Sequence, residues 1–318
     1  MLRTELSAAL FVVLIFAASA TTAQQPPAAN PPPATNPAPP NPAPSKEDVD
    51  IELNTVLMES TFMIQGQSGQ GQTKGTVFII GRLIPNSKPP RALYVMVTAA
   101  HVLSEMQGDA ATLFLRRKVD EKTNSWVAVP IPLAIRINGQ PLWKKHPEAD
   151  VAVMYIAIPA DIPIALLPTT VLADDQMLTE YEVRPGDELR CLGYPLGNAS
   201  NEARFPILRS GRIASYPLLP TDKTKTFLLD FRVFKGNSGG PVYFVERMRP
   251  MPHALGSFKN FHFIVGLVSG EVLYSEQSGG QYSQELHQTQ LGLANVVHAS
   301  LIRQTIDMLP PPSLAPTP

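Results

Sequence analysis

From residue 51 onward, short runs of β-branched and aromatic residues alternate with clusters of turn formers, and helical periodicity is scarce until the end of the chain. Six runs, at 56–64, 76–84, 92–98, 111–119, 126–137 and 151–158, predict the strands of one barrel spanning about 51–160. An apolar connector over 159–172 leads to a second set at 188–194, 205–215, 226–233, 241–246 and 261–269, with a short strand near Leu291 completing a barrel over about 170–294. The fold class is therefore all-β, in two similar six-stranded antiparallel halves. Beyond them Val296, Val297, Leu301, Ile302, Thr305, Ile306 and Leu309 recur at steps of three and four, which predicts a C-terminal helix over 295–309, stopped by Pro310 and Pro311. The Gln- and Gly-rich stretch 65–75 reads as a flexible hairpin loop. No further binding domain is expected after the helix, and 311–318 reads as a disordered tail.

Ahead of this domain the pattern changes. Arg3, an apolar run over 6–18 broken only by Ser7, and small residues up to Ala23 form the pattern of an export signal, with cleavage expected after Ala20 or Ala23. The run is shorter than the ~20 apolar residues of a spanning helix, so an uncleaved anchor is the lesser alternative. Residues 24–50 are rich in Pro, Ala and Asn and hold too little apolar surface to offset the entropy of ordering them, so they read as a linker. A periplasmic or secreted location follows. With 44% apolar residues the remainder can bury a core, and a formal net charge of −1 without a basic run argues against nucleic acid or an anionic membrane as partner. Cys191 is the only cysteine, so no intramolecular disulfide is expected, and it reads as a small buried hydrophobe. His146, His253, His262, His287 and His298 show neither HExxH spacing nor cysteine partners, so neither a metal site nor any cofactor is expected.

Chemistry concentrates in three segments: Thr98-Ala99-Ala100-His101, then Ala149-Asp150-Val151-Ala152, then Gly236-Asn237-Ser238-Gly239-Gly240-Pro241. Hydroxyl attack on a carbonyl requires a base for the serine proton, a carboxylate to hold the tautomer of that base, and donors for the developing oxyanion. His101, Asp150 and Ser238 supply the first two needs and the nucleophile. The glycines let the backbone turn tightly and aim the amides of Gly236 and Ser238 at one point, as an oxyanion hole. The same residues also match G-x-S-x-G, the nucleophile elbow of α/β-hydrolases, but an elbow needs a helix after the serine, and Pro241-Val242-Tyr243-Phe244-Val245 reads as a strand.

These segments, TAAH, ADVAV and GNSGGPV, resemble the signatures of the chymotrypsin clan, with the nearest likeness to HtrA (Do-like) bacterial proteases. Gly193-Tyr194-Pro195-Leu196-Gly197 is similar to that family's G-x-P-x-G turn, and 210–215 to the strand that follows it. Phe231-Arg232 departs from the small residues usual before the nucleophile loop. The resemblance implies two chymotrypsin-like barrels and a serine endopeptidase that cuts unfolded or extended polypeptides by an acyl-enzyme route. It implies, too, that substrate binds as an added strand along Val268, Ser269 and Gly270, and that Arg232, six positions before Ser238, floors the P1 pocket and repels basic side chains. Strand alternation gives Arg232 a competing role, turned out toward solvent. The alternative for the whole chain is a catalytically silent double barrel serving as a binding scaffold.

Overall fold

The computed structural model describes residues 52–69, 71–87, 91–250, 258–278 and 285–312, with only the backbone course at 247–250, 258–259, 274–278 and 285–288. The expected export signal, the linker and residues 313–318 lie outside the described residues.

The chain enters through a helix rather than the expected strand at 56–64. Helix α1 (Leu53–Ser60) buries Leu53, Leu57 and Ser60, spaced to fall on one helical face, and the Glu52 carboxylate caps it by accepting from the Asn54 backbone N–H at 3.3 Å. The extended pattern starts only at Thr61. Strand β1 (Thr61–Ser68) then pairs with β2 (Gly71–Leu83) in one unbroken register from Thr61↔Phe78 to Ser68↔Gly71, so the stretch read as a loop is the tip of a long hairpin. Its polar side chains serve the pairing, since Gln65 donates to Gln72 across the strands at 3.0 Å.

Strands β3 (Ala92–Thr98), β4 (Gln107–Asp120), β5 (Ser125–Ala134), β8 (Lys144–Lys145) and β9 (Ala152–Ile156) complete a sheet in the order β5-β4-β1-β2-β3-β9-β8, and β10 (Leu167–Pro168) adds to β2 in parallel. The minor pair β6 (Arg136–Ile137) and β7 (Gln140–Pro141) stands apart. Where a closed barrel was expected, this first half is a sheet whose end strands β5 and β8 do not pair among the described residues. The second half does close, in the order β11 (Glu188–Gly193), β12 (Ile207–Ile213), β13 (Thr226–Asp230), β16 (Glu285–His298), β15 (Phe258–Ser278) and β14 (Pro241–Pro250), which returns to β11 through Cys191↔Val242.

Strand β16 extends to His298, so helix α4 (Ala299–Asp307) is shorter than the 295–309 expected. Val296 and Val297, assigned to the helix by periodicity, are strand residues paired with Val268 and Leu267. Helix α4 crosses to the first half, where Arg82 donates to the carbonyls of Leu309 and Pro310 at 3.2 Å each. A short helix α3 (Asp175–Glu180), capped by Asp174, was not foreseen. One apolar cluster runs through both halves, from Phe62 and Phe78 to Leu189 and Ile264. Within it lies an unexpected cation: Arg116 on β4, 1% exposed, donates to the carbonyls of Met58, Glu59 and Thr61 and sits between the rings of Phe62 and Phe205.

Candidate active site

The pairing of β3 with β9 sets Thr98 opposite Ala152, so the residues just past the end of one strand and just before the start of the other share one end of the sheet. Helix α2 (Ala100–Glu105) begins there and carries His101 in its first turn; Asp150 precedes β9. The result is direct contact. His101 Nδ1 lies 2.6 Å from Asp150 Oδ2, and the His101 backbone N–H donates to Asp150 Oδ1 at 2.9 Å. Ser269, expected only as part of the substrate strand, donates its hydroxyl to Asp150 Oδ2 at 2.7 Å. The aspartate thus receives three hydrogen bonds on two oxygens.

Burial by itself lowers the His101 pKa, but the hydrogen bond and charge of Asp150 outweigh it, with a further push from Glu105, and the net shift is above the ordinary 6.5. Burial raises that of Asp150, yet His101 and the Ser269 hydroxyl hold it below the ordinary 3.8. This arrangement fixes the proton on Nδ1 and leaves Nε2 without a partner among the described residues.

Ser238 comes from the turn between β13 and β14 of the barrel. A strand, not a helix, follows it, which removes the context an α/β-hydrolase elbow requires. Gly236 and Gly239 take φ of +96° and +86°, and a Cβ on either would meet backbone oxygen at 2.1 Å, from Tyr194 and Thr76 respectively. Only glycine fits there. The Lys235 carbonyl accepts from the Leu196 N–H at 2.6 Å, so in a trans peptide the Gly236 N–H points the opposite way. Neither that amide nor that of Ser238 has a partner among the described residues.

The turn is anchored mainly by a residue that sequence reading missed. Thr76 on β2, fully buried, donates its hydroxyl to the Gly236 carbonyl at 2.6 Å, accepts from the Tyr194 N–H at 3.3 Å, and donates its own backbone N–H to the Ser238 carbonyl at 2.9 Å. Thr98 in turn donates to the Thr76 carbonyl at 2.7 Å. The lone signal in the sequence was a hydroxyl amid apolar residues at the start of the 76–84 run.

His101, Gly236 and Ser238 line one cleft of about 570 Å³. The Ser238 hydroxyl donates to the Ser269 carbonyl at 3.2 Å, long for an O–H···O bond, rather than to His101. Val268 pairs with the nucleophile turn through Gly239 N–H to Val268 O at 2.7 Å and Val268 N–H to Gly240 O at 2.9 Å, which places 268–270 beside Ser238. Arg232 is exposed; its Nε and Nη2 both donate to Gln290 Oε1, at 3.0 and 2.6 Å, and it is not among the residues lining the cleft. Cys191 is buried, which pushes its thiol up to about 12. His146 meets Gln304 at 3.2 Å, His298 is buried, and His253 lies outside the described residues.

The model of the trypsin-like peptidase domain matches residues 75–246, more than half of the chain. This chain belongs to the trypsin-like peptidase family. The match contains all three of His101, Asp150 and Ser238. No curated protein is similar enough in sequence to be matched. Among solved structures, the Rv3671c protease of M. tuberculosis in its active form is 18% identical, with a TM-score of 0.43 over 91% of this chain and 97% of that one. A thermostable serine protease, AL20, from an extremophilic microorganism is 12% identical with a TM-score of 0.40, covering 78% and 95%. The protease Anisep of Arthrobacter nicotinovorans is 12% identical at 0.39, covering 79% and 94%.

Proposed function

We propose that this trypsin-like peptidase is an exported serine endopeptidase that cuts unfolded or extended polypeptides with Ser238 as nucleophile, His101 as base and Asp150 as its orienter. The observation that carries this reading is the Asp150 carboxylate, held by three donors 2.6 to 2.9 Å away, one of them the ring of a histidine that shares a cleft with a glycine-flanked serine. In the reaction a rotation about χ1 takes the Ser238 hydroxyl from the Ser269 carbonyl to His101 Nε2. Oγ then bonds to the substrate carbonyl carbon as its proton passes to Nε2, and the oxyanion takes the free amides of Gly236 and Ser238. The imidazolium, stabilised by Asp150, returns that proton to the leaving amine as the C–N bond breaks. Water, deprotonated by the same nitrogen, hydrolyses the acyl-enzyme and restores the serine. Substrate residues before the scissile bond pair along Ser269 and Gly270, because the N–H and carbonyl of Val268, expected as part of that strand, are already bonded to Gly240 and Gly239. Export, with cleavage after Ala20 or Ala23, is supported by the N-terminal pattern of the sequence.

A silent scaffold has one observation in its favour, the Ser238 hydroxyl turned toward Ser269. The test is labelling by a phosphonate active-site probe together with casein cleavage. Wild type is expected to label and cleave and Ser238→Ala to do neither; full proteolysis by Ser238→Ala would overturn the assignment, and wild type that neither labels nor cleaves would favour the scaffold.

A further inference from the structure

The catalytic cleft carries charge that the triad does not use. Lys74 near the outer end of β2 and Lys235, the residue before Gly236, both line it, and neither ammonium has a hydrogen-bond or ion-pair partner among the described residues. Lys74 is only partly exposed, because its stem lies across the turn after β11. A Cβ added at Gly197 would fall 2.4 Å from Lys74 Cδ and 2.7 Å from Nζ. That close approach holds the ammonium over the turn whose Leu196 N–H fixes the Lys235 peptide. Two cations are thereby seated on the two segments that frame the oxyanion side of Ser238. Among the described residues the cleft wall has one carboxylate, Glu105, four residues after His101 on α2.

The cleft also has a direction. The acyl half of a substrate is held by Ser238, Ser269 and Gly270, of which Ser238 alone lines this cleft. The leaving amine is protonated by His101, so the chain beyond the scissile bond runs on past His101, into the space bounded by α2, Lys74 and Lys235. The geometry points to a leaving-side subsite, formed by Lys74 and Lys235, that selects polypeptides with an aspartate or glutamate in the first two positions after the cut. This rests on the peptidase reading above. Unlike a lysine–carboxylate pair in the interior, such contacts stay hydrated, which limits the preference to roughly threefold to tenfold and makes it salt-sensitive.

The test is a peptide series with a fixed acyl half and Asp, Ala or Lys at the first and second leaving-side positions, each made with a free and an amidated C-terminus. At low salt the Asp peptides are expected to show kcat/KM roughly threefold to tenfold above Ala and further above Lys, an advantage that fades near 0.5 M salt. The advantage should be lost in the double variant Lys74→Gln, Lys235→Gln. A flat profile, or an acidic preference that survives the double variant, overturns the inference. So does a preference that follows the free terminus, since the site would then read a chain end. Fluorescence anisotropy of the same peptides on Ser238→Ala gives a readout without turnover, and equal affinity for Asp and Ala peptides there also overturns it. Wild type that labels with the phosphonate yet shows no leaving-side preference defeats this inference alone, whereas wild type that neither labels nor cleaves defeats the peptidase reading, with the anisotropy still deciding the subsite.

Discussion

Thr76→Val removes one oxygen and nearly nothing else, and the structure says where the loss falls. The valine methyl keeps the volume of a fully buried position on β2, while the Gly236 carbonyl loses its 2.6 Å donor and the Tyr194 N–H its 3.3 Å acceptor. Leaving a buried polar group unpaired costs about 1 to 3 kcal/mol, and the longer Tyr194 bond belongs at the low end, so a total destabilisation of about 2 to 4 kcal/mol is expected. Activity should fall further than stability explains. The carbonyl released is on the residue whose amide is proposed to serve the oxyanion, and losing one such donor costs about 10²-fold to 10³-fold in kcat. A partial loosening of Gly236 therefore predicts a drop in kcat approaching 10²-fold with KM little changed. Thr76→Ser keeps the hydroxyl and should recover most of the rate while losing only about 1 kcal/mol for the missing methyl. Urea unfolding reports the stability, and peptide kinetics with the second-order rate of phosphonate labelling report the site. If Thr76→Val loses stability but labels and turns over as wild type does under conditions where it is folded, Thr76 is a packing residue only. A serine variant that fails to restore the rate would lead to the same conclusion.

His101 and Ser238 should behave as one unit: His101→Ala and Ser238→Ala each abolish most turnover, and the double variant should be little worse than either, as kinetics on all three will show. The base must be neutral to act and its pKa is raised, so the acid limb of the kcat/KM profile should lie above pH 6.5. Asp150→Asn should lower kcat about 10⁴-fold and move that limb down, because the raising partner is gone. His298 is buried against Phe227 with neither ring nitrogen paired among the described residues, and burial pulls its pKa down to about 4. The unfolded chain therefore binds the extra proton first, and stability present above pH 6.5 should fall as pH drops toward 4, by about 3 kcal/mol in total. Urea midpoints at intervals across that range, for wild type and His298→Phe, measure it; equal slopes in the two proteins would exclude His298 as the source.

The strands were legible where a face is buried, and the errors arose in different ways. Strand β2 from Thr76 onward, β3 and β9 were legible because most of their residues are apolar and several are β-branched. Residues 56–60 were misread because Val56, Leu57 and Met58 satisfy the start of a strand as well as a turn of helix, and the outcome is decided by what the face packs on. The tip of the β1–β2 hairpin was invisible for the opposite reason: its strands are held by main-chain hydrogen bonds and glutamine pairing, which leave no apolar signature. Val296 and Val297 fit the helical period by coincidence with α4, although the ladder to β15 claims them.

The candidate site divides along a related line. His101, Asp150 and Ser238 stood out as candidates because each sits in a short segment that resembles a known signature, and the structure brings His101 against Asp150. Thr76 and the aspartate-binding role of Ser269 did not, because each acts across a distance the sequence does not encode: Thr76 reaches Gly236 over 160 residues, and Ser269 reaches Asp150 over 119. Both contacts join the sheet to the barrel. The proposed base and its carboxylate lie in the first half and the proposed nucleophile in the second, so on that reading neither half alone holds a working site. What fixes the serine relative to the histidine is this small set of buried hydrogen bonds between the halves, with Thr76 at its centre. A change that weakens it should lower turnover before it unfolds either half, since each half keeps its own strand pairing and much of the shared apolar core.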